Sequence, residues 1–261
     1  SGDYVAFSTN QTKQMFHMKD KNRIEVFDMS SDVLVYDVRN HRVVTDSLLF
    51  SKQAFETFPS FSPDGKTLYF SSSVAQKMPI DYKKVKYNIC SISFDAETGR
   101  FGTQVDTLFS VEQTGKTGTF PRVSPDGKFL AFTEADYGNF TIWHKEADLC
   151  LIDLKTKEIK SLDALNSLEA ESYHAWSSNG RWLVFASRRD DGLYSRPYIA
   201  YIDEEGTAHK AFVVPQASPD AYWDGLKSYN VPEFITGPVN LQRKAVVEMA
   251  KHGQAKKVTA Q

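Results

Sequence analysis

The sequence predicts an all-β fold: a β-propeller of four four-stranded blades followed by a short helical C-terminal tail. Three observations predict it. The stretch FPSFSPDGKTLYFSSS at 58–73 recurs as FPRVSPDGKFLAFTEA at 120–135. Gly2, Gly65, Gly127 and Gly180 are each followed three residues later by Val5, Leu68, Leu130 or Leu183, and five residues later by Phe7, Phe70, Phe132 or Phe185. A second series, SDVLVYD, YNICSISFD, ADLCLID and RPYIAYID, runs in phase with the first and ends on Asp37, Asp95, Asp153 and Asp203.

Positions three and five beyond a turn share one face of a strand, so each copy of the first series is a turn and a strand that buries an aliphatic residue and a phenylalanine. In Ser62-Pro63-Asp64-Gly65 and Ser124-Pro125-Asp126-Gly127, proline presets φ, aspartate accepts from nearby backbone N–H groups, and glycine takes positive φ. Ser178-Asn179-Gly180 is a worn copy that keeps a hairpin signal. The second series gives strands closed by Asp-led turns, such as DAETG at 95–99. VTDSLLF at 44–50 and QVDTLF at 104–109 follow as outer strands, so each unit has four. The blades fall at 1–52, 53–112, 113–166 and 167–215, with 216–261 as a C-terminal extension. A β-sandwich with chance SPDG turns has no reason to repeat the glycine-to-phenylalanine spacing.

The SPDGKxLxF wording resembles the WD40-like repeat of the TolB family over roughly residues 1–215. The fourth blade, from Glu171 to Asp203, looks like TolB-like envelope proteins of Gram-negative bacteria. The resemblance implies a non-enzymatic, protein-binding propeller of the periplasm or cell envelope, and a ring of six blades. Four blades are recognisable and the first lacks its innermost strand. The chain therefore reads either as the C-terminal portion of a longer protein or as a ring closed by its own residues 230–237, whose Val231-Pro232-Glu233-Phe234 echoes Phe58-Pro59-Ser60-Phe61. In the extension, Ser218-Pro219-Asp220 reads as a helix start. Val239, Leu241, Ala245, Val246 and Met249 recur at helical spacing, and the final GQAKKVTAQ is expected to be disordered.

Composition narrows the partners. Lys and Arg number 31 against 33 Asp and Glu, for a net charge of -2, which points away from nucleic acid and anionic membranes. No apolar run reaches eighteen residues, so no membrane span is expected. Cys90 and Cys150 lie in separate apolar runs without metal or redox spacing and read as buried thiols. GxSxG, GxxxxGK[ST] and GxGxxG are absent, and no cofactor is expected.

Long insertions at 11–32, 74–87, 136–148 and 188–197 join the second and third strands of their blades. They share one face of the ring, the place where a rigid scaffold presents binding residues. The candidates there are Lys83 and Lys84, Tyr137, Trp143 and His144, His174, and Arg188, Arg189 and Arg196. The cations form a locally basic rim suited to an acidic protein or a glycan; the plainer reading pairs the arginines with Asp190 and Asp191 to brace blade four. Tyr137, Phe140 and Trp143 read either as a stacking platform or as packing of their loop onto its own blade. His17, His144 and His174 lie on the same face, with His174 aligned to Phe58 and Phe120 at the start of the channel-lining strand. Propellers resembling oligogalacturonate lyase hold a divalent metal near such histidines, so a metal-dependent carbohydrate-active enzyme is the alternative function. A structural spacer within a larger protein is the third.

Overall fold

The computed structural model describes residues 2–14, 25–218, 220–238, 240–255 and 257–260. Blade one holds β1 (Tyr4–Gln14), β2 (Val26–Asp37) and β3 (Arg42–Val44). Blade two holds β4 (Ala54–Phe61), β5 (Thr67–Val74), β6 (Asn88–Asp95) and β7 (Arg100–Phe109), and ends in the single turn α1 (Val111–Thr114). Blade three holds β8 (Thr117–Val123), β9 (Phe129–Ala135), β10 (Asp148–Asp153) and β11 (Ile159–Ser161). Blade four holds β12 (Glu171–Trp176), β13 (Trp182–Ser187), β14 (Arg196–Tyr201) and β15 (Phe212–Val213). Beyond it come α2 (Ala221–Asp224), α3 (Arg243–His252) and β16 (Thr259–Ala260). In blades two to four the strands pair in chain order from the axis outward, each with its neighbour antiparallel. No described helix is long and apolar enough to cross a membrane.

The turns explain why the repeat is written as it is. In blade two, Ser62 Oγ donates to Asp64 Oδ1 at 2.6 Å, the Lys66 N–H donates to that carboxylate at 3.1 Å, and Thr67 N–H donates to Ser62 Oγ at 3.0 Å. Blade three repeats these bonds at the same distances with Ser124, Asp126, Lys128 and Phe129. Blade four repeats them with Ser177, Asn179, Arg181 and Trp182. The serine that matters in the third copy is therefore Ser177, and Ser178 only stands in for proline. Gly65, Gly127 and Gly180 sit at φ of 72°, 72° and 68°, which a side chain would strain. The Asp-led turns also form. Asp37, for example, accepts from the Asn40 side chain and backbone and from Arg42, and these bonds pull its carboxyl down to about 2.

Packing between blades follows the period of two. Leu68 and Phe70 face blade one, among Val33, Val35 and Leu49. Leu130 and Phe132 face blade two, among Tyr69, Ile89 and Phe109. Leu183 and Phe185 face blade three, among Phe129, Ala131, Leu149 and Leu151. The repeat residue pair thus always covers the preceding blade. In blade one nothing stands on that side among the described residues: Val5 is 50% exposed and Phe7 half-buried, where the sequence pattern expects both to be buried. Trp182 projects from the opposite face of its strand and meets Tyr201 and Phe212 on the outer flank of blade four. Cys90 and Cys150 are buried free thiols. Burial pushes Cys90 up to about 11 and raises Cys150 further, which makes both poor nucleophiles.

Three expectations about the edges change. Residues 45–50 form a turn in which Leu48 N–H donates to Asp46 Oδ1, so VTDSLLF is a strand only to Val44. Residues 230–237 contain no strand, and the inner edge of β1 is not paired by them. Instead β16 pairs parallel to β3 on the outside of blade one, Thr259 opposite Arg42, so part of the end expected to be disordered is ordered. Helix α3 begins at Arg243 rather than near Val239, which lies outside the described residues together with Pro219.

Candidate functional site

The described part of the segment 11–32 is strand rather than loop, apart from Glu25. β1 and β2 continue past their blade as a hairpin with Thr12 opposite Asp28 and Gln14 opposite Val26, after a register shift between Asn10 and Thr12. His17 falls in 15–24, outside the described residues. The hairpin leans on the loops of the next two blades, and the contact is polar and buried. Asp28 accepts from Asn10 Nδ2 at 2.6 Å, from Thr12 Oγ1 at 2.7 Å and from Asn139 Nδ2 at 2.5 Å. Burial raises its carboxyl above the usual range, and these three donors oppose the shift. Asn10 also donates to Thr57 on β4 at 3.2 Å.

One residue pair along, Glu25 accepts from the Tyr137 hydroxyl at 2.5 Å, and its second oxygen lies 3.4 Å from His144 Nε2. Burial works against ionisation of Glu25, but the bonds from His144 and Tyr137 outweigh it and hold the carboxyl below its ordinary value. Burial first, and then the same carboxylate, push the Tyr137 phenol well up. Tyr137 rests on the His144 ring at 4.6 Å, and His144 Nδ1 is 3.7 Å from Glu146. From blade two, Tyr82 stacks on Phe27 at 5.6 Å and meets Tyr137 edge-on at 5.8 Å, with Lys83 Nζ over both tyrosine rings. The space left among these side chains, about 10 Å³, holds at most one water. The junction is an interlock of three blades and not a ligand pocket. Replacing Asp28 with alanine leaves the buried Asn139 amide without its acceptor, so it is expected to cost about 2 kcal/mol in a denaturant titration. A loss under about 0.5 kcal/mol would place the hairpin's anchorage elsewhere.

The remaining candidates sit apart. Arg188 and Arg196 are 5% and 3% exposed. The Arg188 guanidinium lies 3.9 Å over the Trp143 ring and donates to the carbonyls of Ile142 and Leu193. Arg196 pairs with Asp190 at 3.3 Å and Asp191 at 2.9 Å, and stacks at 4.2 Å on Trp223 of the extension. Arg189 reaches Ser187, the Leu165 carbonyl and Glu171, and covers Tyr198. All three arginines are engaged within blade four and the segments packed on it, and they present little charge outward. Lys83 and Lys84 remain exposed, Lys84 paired with Asp81 at 2.9 Å.

His174 is one position off the expected alignment. The residues equivalent to Phe58 (φ 53°) and Phe120 (φ 56°) are completed by Tyr173 (φ 52°), each at a bulge in its inner strand. His174 therefore corresponds to Pro59 and Pro121. The three aromatic rings follow one another from blade to blade on the inner strands, Phe58 to Phe120 at 3.9 Å and Phe120 to Tyr173 at 4.8 Å. His144 and His174 share no partner, and no group of three or more His, Cys, Asp or Glu among the described residues is arranged to hold a metal ion.

One position is absent from sequence reasoning altogether. Glu56 and Glu171 occupy the same place in the repeat, nine residues before their glycines, where blade three has Gly118. Glu171 is fully buried and accepts from Ser167 Oγ and N–H, from Ser187 Oγ and from Arg189. Glu56 is 2% exposed and one of its oxygens has no partner; Val74 stands where blade four has Arg189. Burial first, then the nearby Asp32 charge, raises Glu56 to about 7.

Among solved structures the chain is similar to hydrazine synthase of Kuenenia stuttgartiensis, with a TM-score of 0.51 and 10% identity over 83% of this chain and 32% of that one. The chain is a β-propeller. It is also similar to oligogalacturonate lyase in complex with manganese (TM-score 0.48, 15% identity, 74% of this chain and 51% of that one). The β-propeller domain of the Trilobed protease from Pyrococcus furiosus is another match (TM-score 0.38, 17% identity, 64% and 44%). The chain thus spans about half of these last two or less, and at such identities the likeness is one of fold alone. No family model matches the chain, and no curated protein does.

Proposed function

We propose that this propeller is a TolB-like, non-enzymatic module of the bacterial periplasm or envelope that binds a protein partner on the face bearing the second-to-third-strand loops. The observation that supports it is the combination of interlock and exposure on that face. Asp28 and Glu25 tie the hairpin of blade one to the loop at 136–147, so the surface is preorganised before any partner arrives. Around this fixed centre stand large apolar side chains in water: Val74 and Ile80 in blade two, Leu193 in blade four, Phe50 and Leu168 in the links between blades, Leu168 at 94% exposure. Apolar side chains on rigid loops with a polar surround suit a protein surface better than a small polar substrate.

The test is affinity capture from solubilised bacterial envelope, read by mass spectrometry, with three baits: the parent, Ile80→Glu with Leu193→Glu, and Lys128→Glu on the opposite face. A partner kept by the parent and by Lys128→Glu but reduced at least tenfold by the double variant supports the reading. Equal recovery by all three baits removes the loop face as the binding surface.

A further inference from the structure

The innermost strands of blades three and four carry two polar side chains that make no well-aligned hydrogen bond or ion pair with the described residues. His174 on β12 is 3% exposed, and neither ring nitrogen makes a well-aligned hydrogen bond, although backbone groups of Ala131 and Phe120 lie near. Arg122 on β8 is half-buried and makes no ion pair and no side-chain hydrogen bond with the described residues. The two belong to one place. β8 packs on β12, the rings of Phe120 and Tyr173 are 4.8 Å apart, Trp176 Nε1 donates to the Arg122 carbonyl at 3.0 Å, and the Arg122 charge acts on the His174 ring.

Among the described residues the two fully buried arginines are compensated: Arg188 has two carbonyls and Arg196 two carboxylates. A guanidinium taken partly out of water with no acid in ion-pairing distance, beside an imidazole whose nitrogens have only poorly aligned backbone neighbours, is unfavourable on both counts. An anion placed between them would relieve both. Burial, aided by the Arg122 charge, holds His174 down to about 4, so at neutral pH it is uncharged and offers one N–H donor. With a single cation available, a monoanion balances the charge, whereas a phosphate dianion would leave a buried excess. The fork of the guanidinium matches a carboxylate in two parallel bonds. Glu233, in the exposed stretch that follows blade four, is the acid whose charge Arg122 feels, and it is not within ion-pairing distance.

We infer that Arg122 and His174 form a carboxylate-binding site on the propeller axis, with Phe120 and Tyr173 as the apolar wall, and that its ligand is a peptide C terminus bearing an aromatic last residue. The site lies on the inner strands β8 and β12 rather than on the long loops themselves, and the test needs no envelope partner.

The test is an NMR titration of the whole protein with N-acetyl-L-phenylalanine and, separately, with its amide, following the His174 imidazole signals assigned from His174→Gln. The acid shifts these signals saturably and the amide does not. Arg122→Gln weakens the acid at least tenfold, and Arg122→Lys, which keeps the charge but loses the fork, falls between. Should Arg122→Gln fail to fold, as judged from its spectrum, Arg122→Lys carries the comparison alone. Equal binding of acid and amide, no saturable shift with the acid, or parental affinity in the folded Arg122 variants overturns the assignment.

Discussion

Truncation of Phe132 to alanine is expected to destabilise the propeller by about 3–5 kcal/mol in a denaturant titration, while the same truncation at Phe7 costs under about 1 kcal/mol. The two residues hold one position in the repeat, five beyond the turn glycine, and propensity alone cannot separate them. Surroundings do. Phe132 is fully buried with its ring 4.9 Å from Phe109, inside the cluster that joins blades two and three. Its loss removes a full aromatic transfer term and leaves a cavity that two rigid sheets cannot close. Phe7 projects from the side of blade one that no described blade covers, and water already reaches it. Equal losses at the two sites would mean that the flank of blade one is packed in solution.

The pH dependence of stability carries the second large effect. Glu56 has a folded-state pKa of about 7, above the ordinary 4.5, so the native state holds this proton more tightly than the unfolded chain does. A raised carboxyl contributes stability that is fully present below the unfolded value and is lost as pH rises from there through 7. The loss grows to on the order of 3 kcal/mol by pH 8. Glu56→Gln keeps the shape and a group for Ser72 to bond while removing the charge. It should therefore stabilise the protein at pH 8 by about that amount, change little at pH 4, and flatten the decline between pH 5 and 8. An unchanged decline in the variant would place its origin in another group.

The blades were legible in the sequence because a repeat reports itself four times. Leu68, Leu130 and Leu183 are all fully buried, and the serine, aspartate and glycine of each turn have one geometric task each. Legibility failed where neighbours rather than spacing decide. Val5 and Phe7 carry the pattern without the covering blade. His174 is one residue out of the alignment with Phe58 and Phe120 by spacing alone, since Tyr173, like those two, stands seven residues before its turn glycine, and all three share the same bulge. Tyr137 and His144 could be singled out from their loop, but Glu25, which joins them, is 112 and 119 residues away, and Asp28 is 111 residues from Asn139. Contacts of that separation leave no local signal. The arginines at 188–196 carried a signal of the wrong kind: charge in a loop reads as surface, yet Asp190, Asp191, Trp143 and Trp223 draw these side chains inward.

The central claim is that loops from three blades act as one rigid surface. Amide hydrogen exchange on the parent and on Asp28→Ala tests it most directly, followed residue by residue across the hairpin and the loops at 75–87 and 136–147. If the interlock holds them, Gly138 and Ala147, whose N–H groups donate to the carbonyls of Val85 and His144, exchange slowly in the parent. In the variant, the hairpin and the 136–147 loop speed up together. Acceleration confined to the hairpin, with Gly138 and Ala147 unchanged, would show that the loops are held independently and that no common surface exists.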